Sequence, residues 1–234
     1  MIGHPRAHHA VTDSTNRIAR ELAAGGAPHG TVVTAGEQTA GRGRSHRVWI
    51  APAGSSVLLS LIVRGTDTRH TSLLPLTTAV ALADVLEQWL DGVAIKWPND
   101  VWVGAKKIAG ILVEGRPQEG WAVIGMGVNV TTDRESFPVE LQDAATSVAA
   151  AGATGHGVEE VMAVLLAALD SRLAQDPDTV LAAWRARDAL LGTTVTWEGG
   201  SGTAAGVDDD GALLVDTAEG HVRLDAGEVH LAAT

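Results

Sequence analysis

The sequence predicts an α+β chain: a mixed β-sheet flanked by helices, followed by a small all-β unit. Three observations carry this. Residues 55–63 and 121–130 are apolar runs of strand length, rich in valine, isoleucine and leucine. Residues 72–90, 158–174 and 178–191 have helical length and composition. After Gly192 the pattern changes to short strand-like segments broken by Asp/Gly turns.

Taken in order, Asp13-Ser14-Thr15-Asn16 opens a short helix in which Ile18, Ala19 and Leu22 recur at helical spacing, and Gly25-Gly26 stops it. TVVTAGEQ at 31–38 reads as a strand, a Gly/Arg loop follows, and SSVLLSLIV at 55–63 is a buried strand. The long apolar helix at 72–90 carries Pro75 in its first turn. Residues 94–103 and 106–115 form a hairpin turning at Gly104-Ala105, and 121–130 adds a further strand. Helices at 158–174 and 178–191 follow, the second opened by Pro177-Asp178. The change of pattern divides the chain into a larger unit, 1–190, and a small C-terminal β unit, 191–234.

Composition narrows the function. The chain of 234 residues is 45% apolar and 19% charged, as expected of a folded protein. Its 17 basic and 28 acidic residues give a net charge of −11, which repels nucleic acid away from local basic patches. The absence of cysteine excludes disulfides, thiolate zinc sites, iron–sulfur clusters and cysteine nucleophiles. No apolar run approaches the ~20 residues of a membrane span, and no signal-peptide core is present, so a cytoplasmic protein without a membrane partner is expected. The histidines show no metal-ligand spacing, so no protein metal site is assigned.

Against that acidic background stands GRGRSHRVW at 41–49, with Arg42, Arg44 and Arg47 within six positions. Glycine backbone N–H groups and arginine forks suit phosphate or carboxylate, so the segment reads either as a closing clamp for a polyanion or as a solvated loop.

Five blocks settle which. DSTN at 13–16, EQTAGRGR at 37–44 with Trp49, KWPND at 96–100, KIAGILVEG at 107–115 and GMGVN at 125–129 resemble the biotin protein ligases in order and spacing. The tail resembles that family's small SH3-like C-terminal β-barrel. The resemblance implies a class II synthetase-like biotin/lipoate ligase catalytic fold. It also implies an activity: biotin and ATP give biotinyl-5′-adenylate and pyrophosphate, and biotin then passes to one lysine of a biotin carrier protein domain. Mg²⁺ is implied as the triphosphate's counter-ion.

Residue by residue, the resemblance implies the following. Arg42 and Arg44, with Gly41 and Gly43 for mobility, close over biotin and the phosphates, and Arg47 adds a phosphate contact. Lys107 stands by the carboxylate and the α-phosphate, unless it is a solvated hairpin residue, and Gly110 permits close approach. Ser14, Thr15, Asn16 and Gln38 bond the neutral ureido ring; helix capping is the competing role for Ser14 and Thr15. Trp49 packs on adenine or serves as a core ring, and Asn129 contacts the nucleotide or turns the strand end. Asp100 orients or deprotonates the carrier lysine, or is a turn residue. The family pattern GRGRxGR has glycine where this chain has His46, which predicts a stiffer or differently shaped loop and weakens the assignment of Arg47.

Three alternatives remain at this stage. A DNA-binding form with an added helix-turn-helix domain is disfavoured, since the roughly dozen residues before Asp13 are too few for three helices and the chain is acidic. A lipoate ligase shares the fold, whereas a cysteine-dependent octanoyltransferase is excluded. A binding module without catalysis is disfavoured by Lys107, Arg42 and Arg44. The clamp reading predicts that segment 41–48 is cleaved by protease in the empty protein and protected by biotin or the adenylate. Equal cleavage with and without biotin would contradict it.

Overall fold

The computed structural model describes residues 2–65, 68–225, 227 and 229–232. Seven strands, β1 (Arg6–Thr12), β2 (Val32–Gln38), β3 (Ser56–Arg64), β4 (Val93–Lys96), β5 (Asp100–Val103), β6 (Lys106–Arg116) and β7 (Trp121–Asn129), form one sheet. Its order is β1-β2-β3-β7-β6-β5-β4. β1 runs parallel to β2 and the other neighbours are antiparallel, so the sheet is mixed as expected. Gly104 and Ala105 both take positive φ, 55° and 63°, and turn β5 into β6 as a tight hairpin.

The central strands β3 and β7 are covered on both faces, which is why they read as continuous apolar runs. Their side chains divide by the two-residue strand period. Leu59, Leu61, Ile124 and Val128 join the main core, whereas Ile62, Trp121 and Val123 pack with Ala19 and Ala23 of helix α1 (Thr15–Ala24). The main core also holds helices α2 (Thr68–Leu86), α3 (Val158–Leu173) and α4 (Pro177–Arg185). Asp84 on α2 pairs with Arg172 of α3 and with Arg187, just past α4, and Glu87, just past α2, pairs with Arg187 as well, so the three helices are tied together at these ends. One face of the sheet therefore carries three helices; the other carries only α1, which leaves part of it open.

Four differences from the sequence reading have physical causes. β1 was not foreseen, because as an edge strand it is mostly exposed and carries no apolar alternation; its hydrogen bonds come from β2, distant in sequence. α2 starts before Ser72, so Pro75 lies inside the helix rather than in its first turn. The ring removes one backbone donor, but buried Leu73, Leu74, Leu76 and Val80 hold the helix in place. α4 ends at Arg185 because residues 187–189 hydrogen-bond to β4 instead: Ile95 N donates to Arg187 O and Ala189 N to Ile95 O, with a bridge at Asp188. The C-terminal strands β8 (Thr194–Trp197), β9 (Gly200–Val207), β10 (Leu213–Thr217), β11 (Gly220–Leu224) and β12 (His230–Leu231) form an antiparallel sheet in the order β11-β10-β9-β8-β12. Among the described residues its pairing is open rather than closed into a barrel. No helix of the described chain is long and apolar enough to cross a membrane.

The two sheets meet at the β4–β5 turn. Trp97 is buried there, and its Nε1 donates to Gly211 O at 3.0 Å, while Arg185 Nη2 donates to Val207 O at 2.9 Å. Trp97→Phe puts a smaller ring in place of the buried indole and leaves that carbonyl without its donor, and should cost about 1–3 kcal/mol or more in urea unfolding. An unchanged midpoint would show that this contact does not join the two sheets.

Candidate functional site

The open part of the sheet becomes a cavity of about 360 Å³ because two strands lack side chains there. Gly110 on β6 and Gly127 on β7 are directly paired. A Cβ on Gly127 would lie 2.4 Å from Trp49 Cε2, and one on Gly110 would lie 3.0 Å from Trp49 Cζ3. The indole thus rests on bare backbone. Two residues along β7, a Cβ on Gly125 would lie 2.0 Å from Asn16 Oδ1. Glycines at alternate positions share one face of a strand, so the GMG run clears a strip for both side chains.

Trp49 is brought to this floor by the Gly/Arg segment, which folds as a narrow hairpin. Trp49 N donates to Gly41 O, Gly43 N to Arg47 O, and Arg42 bridges Val48. The tip, residues 44–46, turns with positive φ at Ser45 (50°). The left-handed position therefore falls on Ser45, one residue before His46, the residue that replaces the family glycine. The His46 side chain lies outside the described residues. Gly41, expected to touch a ligand, is absent from the cavity wall: it is buried at the hairpin neck, where a Cβ would meet Trp49 O at 2.4 Å. Every other predicted site residue lines the cavity.

Five basic side chains, Arg42, Arg44, Arg47, Lys96 and Lys107, reach the described wall, against one acidic side chain, Asp100. Several are held by acceptors. Lys107 Nζ stands 2.6 Å from Asp100 Oδ1 and 5.7 Å from the Trp49 ring centre. Arg42 Nη1 donates to Glu114 at 3.0 Å. Arg44 Nη2 meets Gly227 O at 3.4 Å, and Lys96 Nζ donates to Val229 O at 2.7 Å. The last two place the C-terminal segment on the wall, where Gly227, Val229 and His230 contribute lining.

The uncharged residues separate into used and available groups. Ser14 is the N-cap of α1, yet its hydroxyl makes no capping bond; the Ser14 N–H is instead taken by Asp13 Oδ1 at 2.7 Å. A hydrogen bond from Arg17, with that backbone bond, holds the Asp13 carboxyl well below the ordinary carboxylate range. Gln38 Oε1 accepts from Thr15 N at 2.7 Å, which leaves its amide nitrogen for a ligand. Asn16 and Asn129 line the cavity, but their amides are engaged: Asn16 Nδ2 donates to Leu112 O and Glu114, and Asn129 Nδ2 donates to Thr146 O while its Oδ1 accepts from Ser56. Among the described residues Trp49 Nε1 is buried without a partner, a donor left for an acceptor.

Sequence reading missed Glu114, Ser60, the glycine floor and the C-terminal lining. The floor was legible, since glycines two apart on an apolar strand mark a cleared face. Ser60 and Gly227 carry no local signal.

The chain is similar to known proteins along most of its length. Residues 9–130 match the Biotin/lipoate A/B protein ligase family, and residues 192–231 match the Biotin protein ligase C terminal domain. The chain is 35% identical to the bifunctional ligase/repressor BirA of Bacillus subtilis, over 99% of this chain and 75% of that protein. It is 36% identical to the biotin–[acetyl-CoA-carboxylase] ligase of Paracoccus denitrificans, over 94% of this chain and 98% of that one. Among solved structures, the biotin protein ligase from Aquifex aeolicus in complex with biotin and ATP superposes with a TM-score of 0.83 at 25% identity, covering 99% of this chain and 100% of that one.

The floor makes an asymmetric prediction. Gly127→Ala drives a methyl into a rigid ring and should cost about 1–3 kcal/mol by overpacking. Gly110→Ala meets the ring edge and the flexible end of Lys107, and should cost less. Equal costs in urea unfolding would mean that Trp49 is not seated on the floor as described.

Proposed function

Since the chain belongs to the Biotin/lipoate A/B protein ligase family, we propose that it is an ATP-dependent biotin protein ligase, with its chemistry in the cavity over the glycine floor. One observation carries the assignment of residues. A cluster of basic side chains and a set of uncharged hydrogen-bonding groups, Ser14 and Gln38, share a single cavity.

That combination answers the physical problem of the first step. Biotin's carboxylate, with a pKa of roughly 4–5 like other carboxyl groups, is already ionised at neutral pH and needs no base. It must approach an α-phosphate that is also anionic. Positive charge fixed in a partly dry cleft lowers that repulsion, and holding the two groups in register supplies most of the remainder. Lys107, Arg42 and Arg44 are the residues placed to do this. Their present partners, Asp100, Glu114 and the Gly227 carbonyl, keep the cations oriented until the substrates' oxygens replace them. Arg47 and the Trp49 ring extend the wall for the nucleotide. Ser14 and Gln38 address the ureido ring through neutral groups, which suits a neutral heterocycle.

Mg²⁺ enters with the nucleotide as MgATP. Among the described residues no group of three His, Asp or Glu is arranged to hold a metal. Asp100, the acidic side chain on the described wall, is the residue that would help hold Mg²⁺ there. When bound, it neutralises part of the triphosphate charge.

In the second step a lysine of a biotin carrier domain attacks the adenylate, and it must first lose a proton from an amine of pKa about 10.4. Asp100 is the acceptor placed near Lys107 for that task. The catalytic unit, 1–190, the C-terminal unit, 191–234, and a cytoplasmic setting complete the proposal. The interlocking of the two sheets at Trp97 supports a C-terminal unit that helps close the site.

Purified protein should catalyse biotin-dependent exchange of pyrophosphate into ATP; none with MgATP and biotin supplied would overturn the reading. Asp100→Ala should slow transfer to the carrier by about 10²-fold or more, in the range of general-base effects, with a smaller loss in adenylation. An equal loss in both steps would assign Asp100 to Lys107 rather than to the carrier amine.

A further inference from the structure

A chain of hydrogen-bonded side chains runs from the cavity wall at Gln38 and Thr15 to buried Ser60, a residue to which the reaction above gives no role. Asn16 Nδ2 faces two acceptors, Leu112 O at 3.2 Å and Glu114 Oε2 at 3.0 Å. That fixes the amide with its oxygen toward β3. There Ser60 Oγ lies 2.6 Å from Asn16 Oδ1 and 2.8 Å from Thr15 Oγ1, and Ser60 is wholly buried. Thr15 Oγ1 lies 3.1 Å from Gln38 Oε1, which already accepts the Thr15 N–H at 2.7 Å.

Counting hydrogens orders this chain. Asn16 Oδ1 carries none, so its 2.6 Å contact requires the one proton of Ser60. Ser60 then has none for Thr15, and the 2.8 Å contact takes the Thr15 proton instead. Thr15 Oγ1 and Gln38 Oε1 are left without a proton between them, which at 3.1 Å is an ordinary oxygen contact. The opposite order would leave two bare oxygens at 2.6 Å, a far worse arrangement. Thr15 therefore turns its proton inward and its lone pairs outward, beside the Gln38 amide nitrogen.

We propose that Ser60 is a positioning residue for recognition: by taking the proton of Thr15 it makes that hydroxyl an acceptor next to the Gln38 donor, so that the site selects a ring bearing N–H beside C=O. A cyclic urea has that pattern. A ring with oxygen in place of the N–H sets two acceptors against each other. The inference rests on biotin being the substrate, as proposed above.

The test compares biotin with its cyclic-carbamate analogues, in which oxygen replaces each ring N–H in turn, by KM in pyrophosphate exchange. The wild-type protein should prefer biotin to one of the two analogues by about tenfold or more, because a buried acceptor is left unpaired. Ser60→Ala frees the Thr15 proton and should narrow that preference to within about threefold, leaving the KM for ATP unchanged. In a Thr15→Val background, Ser60→Ala should change the preference no further. A preference that survives Ser60→Ala while biotin and analogue weaken together would overturn the proposal, as would a wild-type protein that does not discriminate. Should Ser60→Ala fail to fold, Thr15→Val alone must narrow the preference, and its survival there overturns the proposal equally. Absence of any exchange with biotin would instead remove the ligase reading on which the proposal stands.

Discussion

Everything at the site depends on a patch of sheet that has no side chains. Gly110 and Gly127 face each other across β6 and β7, and Gly125 continues the strip, so an indole and an amide lie directly on backbone. A β-carbon at these positions would fill the space that Trp49 and Asn16 occupy. Because Trp49 is seated, the hairpin neck at Gly41 is seated too, and the arginines beyond it are carried over the cavity. The floor explains how a segment rich in glycine and arginine acquires a definite position.

Charge is the second constraint. The protein is acidic overall, yet its cavity wall carries several cations and a single described carboxylate. Like charges gathered in a cleft repel one another, and the structure answers with local acceptors: a carboxylate for Lys107, another for Arg42, and backbone carbonyls of the C-terminal segment for Arg44 and Lys96. In the two ion pairs the basic ends stay partly exposed to water, and such pairs are worth little, on the order of 0–1 kcal/mol. Each is therefore weak enough for a substrate oxygen to displace. Electrostatic focusing in such a cleft raises the local concentration of anionic substrates despite the net charge.

Much of this was legible in the sequence, for reasons that can be given residue by residue. Strands covered on both faces announce themselves as apolar runs, and so β3 and β7 were found. The hairpin at Gly104-Ala105 was found from the alternation on either side of it, although alanine rarely takes the positive φ that Ala105 has. β1 was missed because an exposed edge strand has no apolar alternation. The ends of α2 and α4 were misplaced because neighbours decide them: packing carries α2 back past Pro75, and pairing with Ile95 draws residues 187–189 out of helix. At the site, the predicted site residues converge on one cavity, Gly41 excepted. Sequence could not tell that Ser14 leaves its hydroxyl free while Asn129 spends its amide, since both outcomes depend on partners far along the chain. Ser60 was invisible for the same reason.

The most direct measurement of the central claim is a crystal structure with biotinyl-5′-adenylate bound. The account predicts the acyl-phosphate junction beside Lys107 and within reach of Arg42 and Arg44, with the ureido ring at Ser14 and Gln38 and Trp49 still resting on Gly110 and Gly127. A ligand lying away from that floor, or a Trp49 ring lifted off it, would contradict the account.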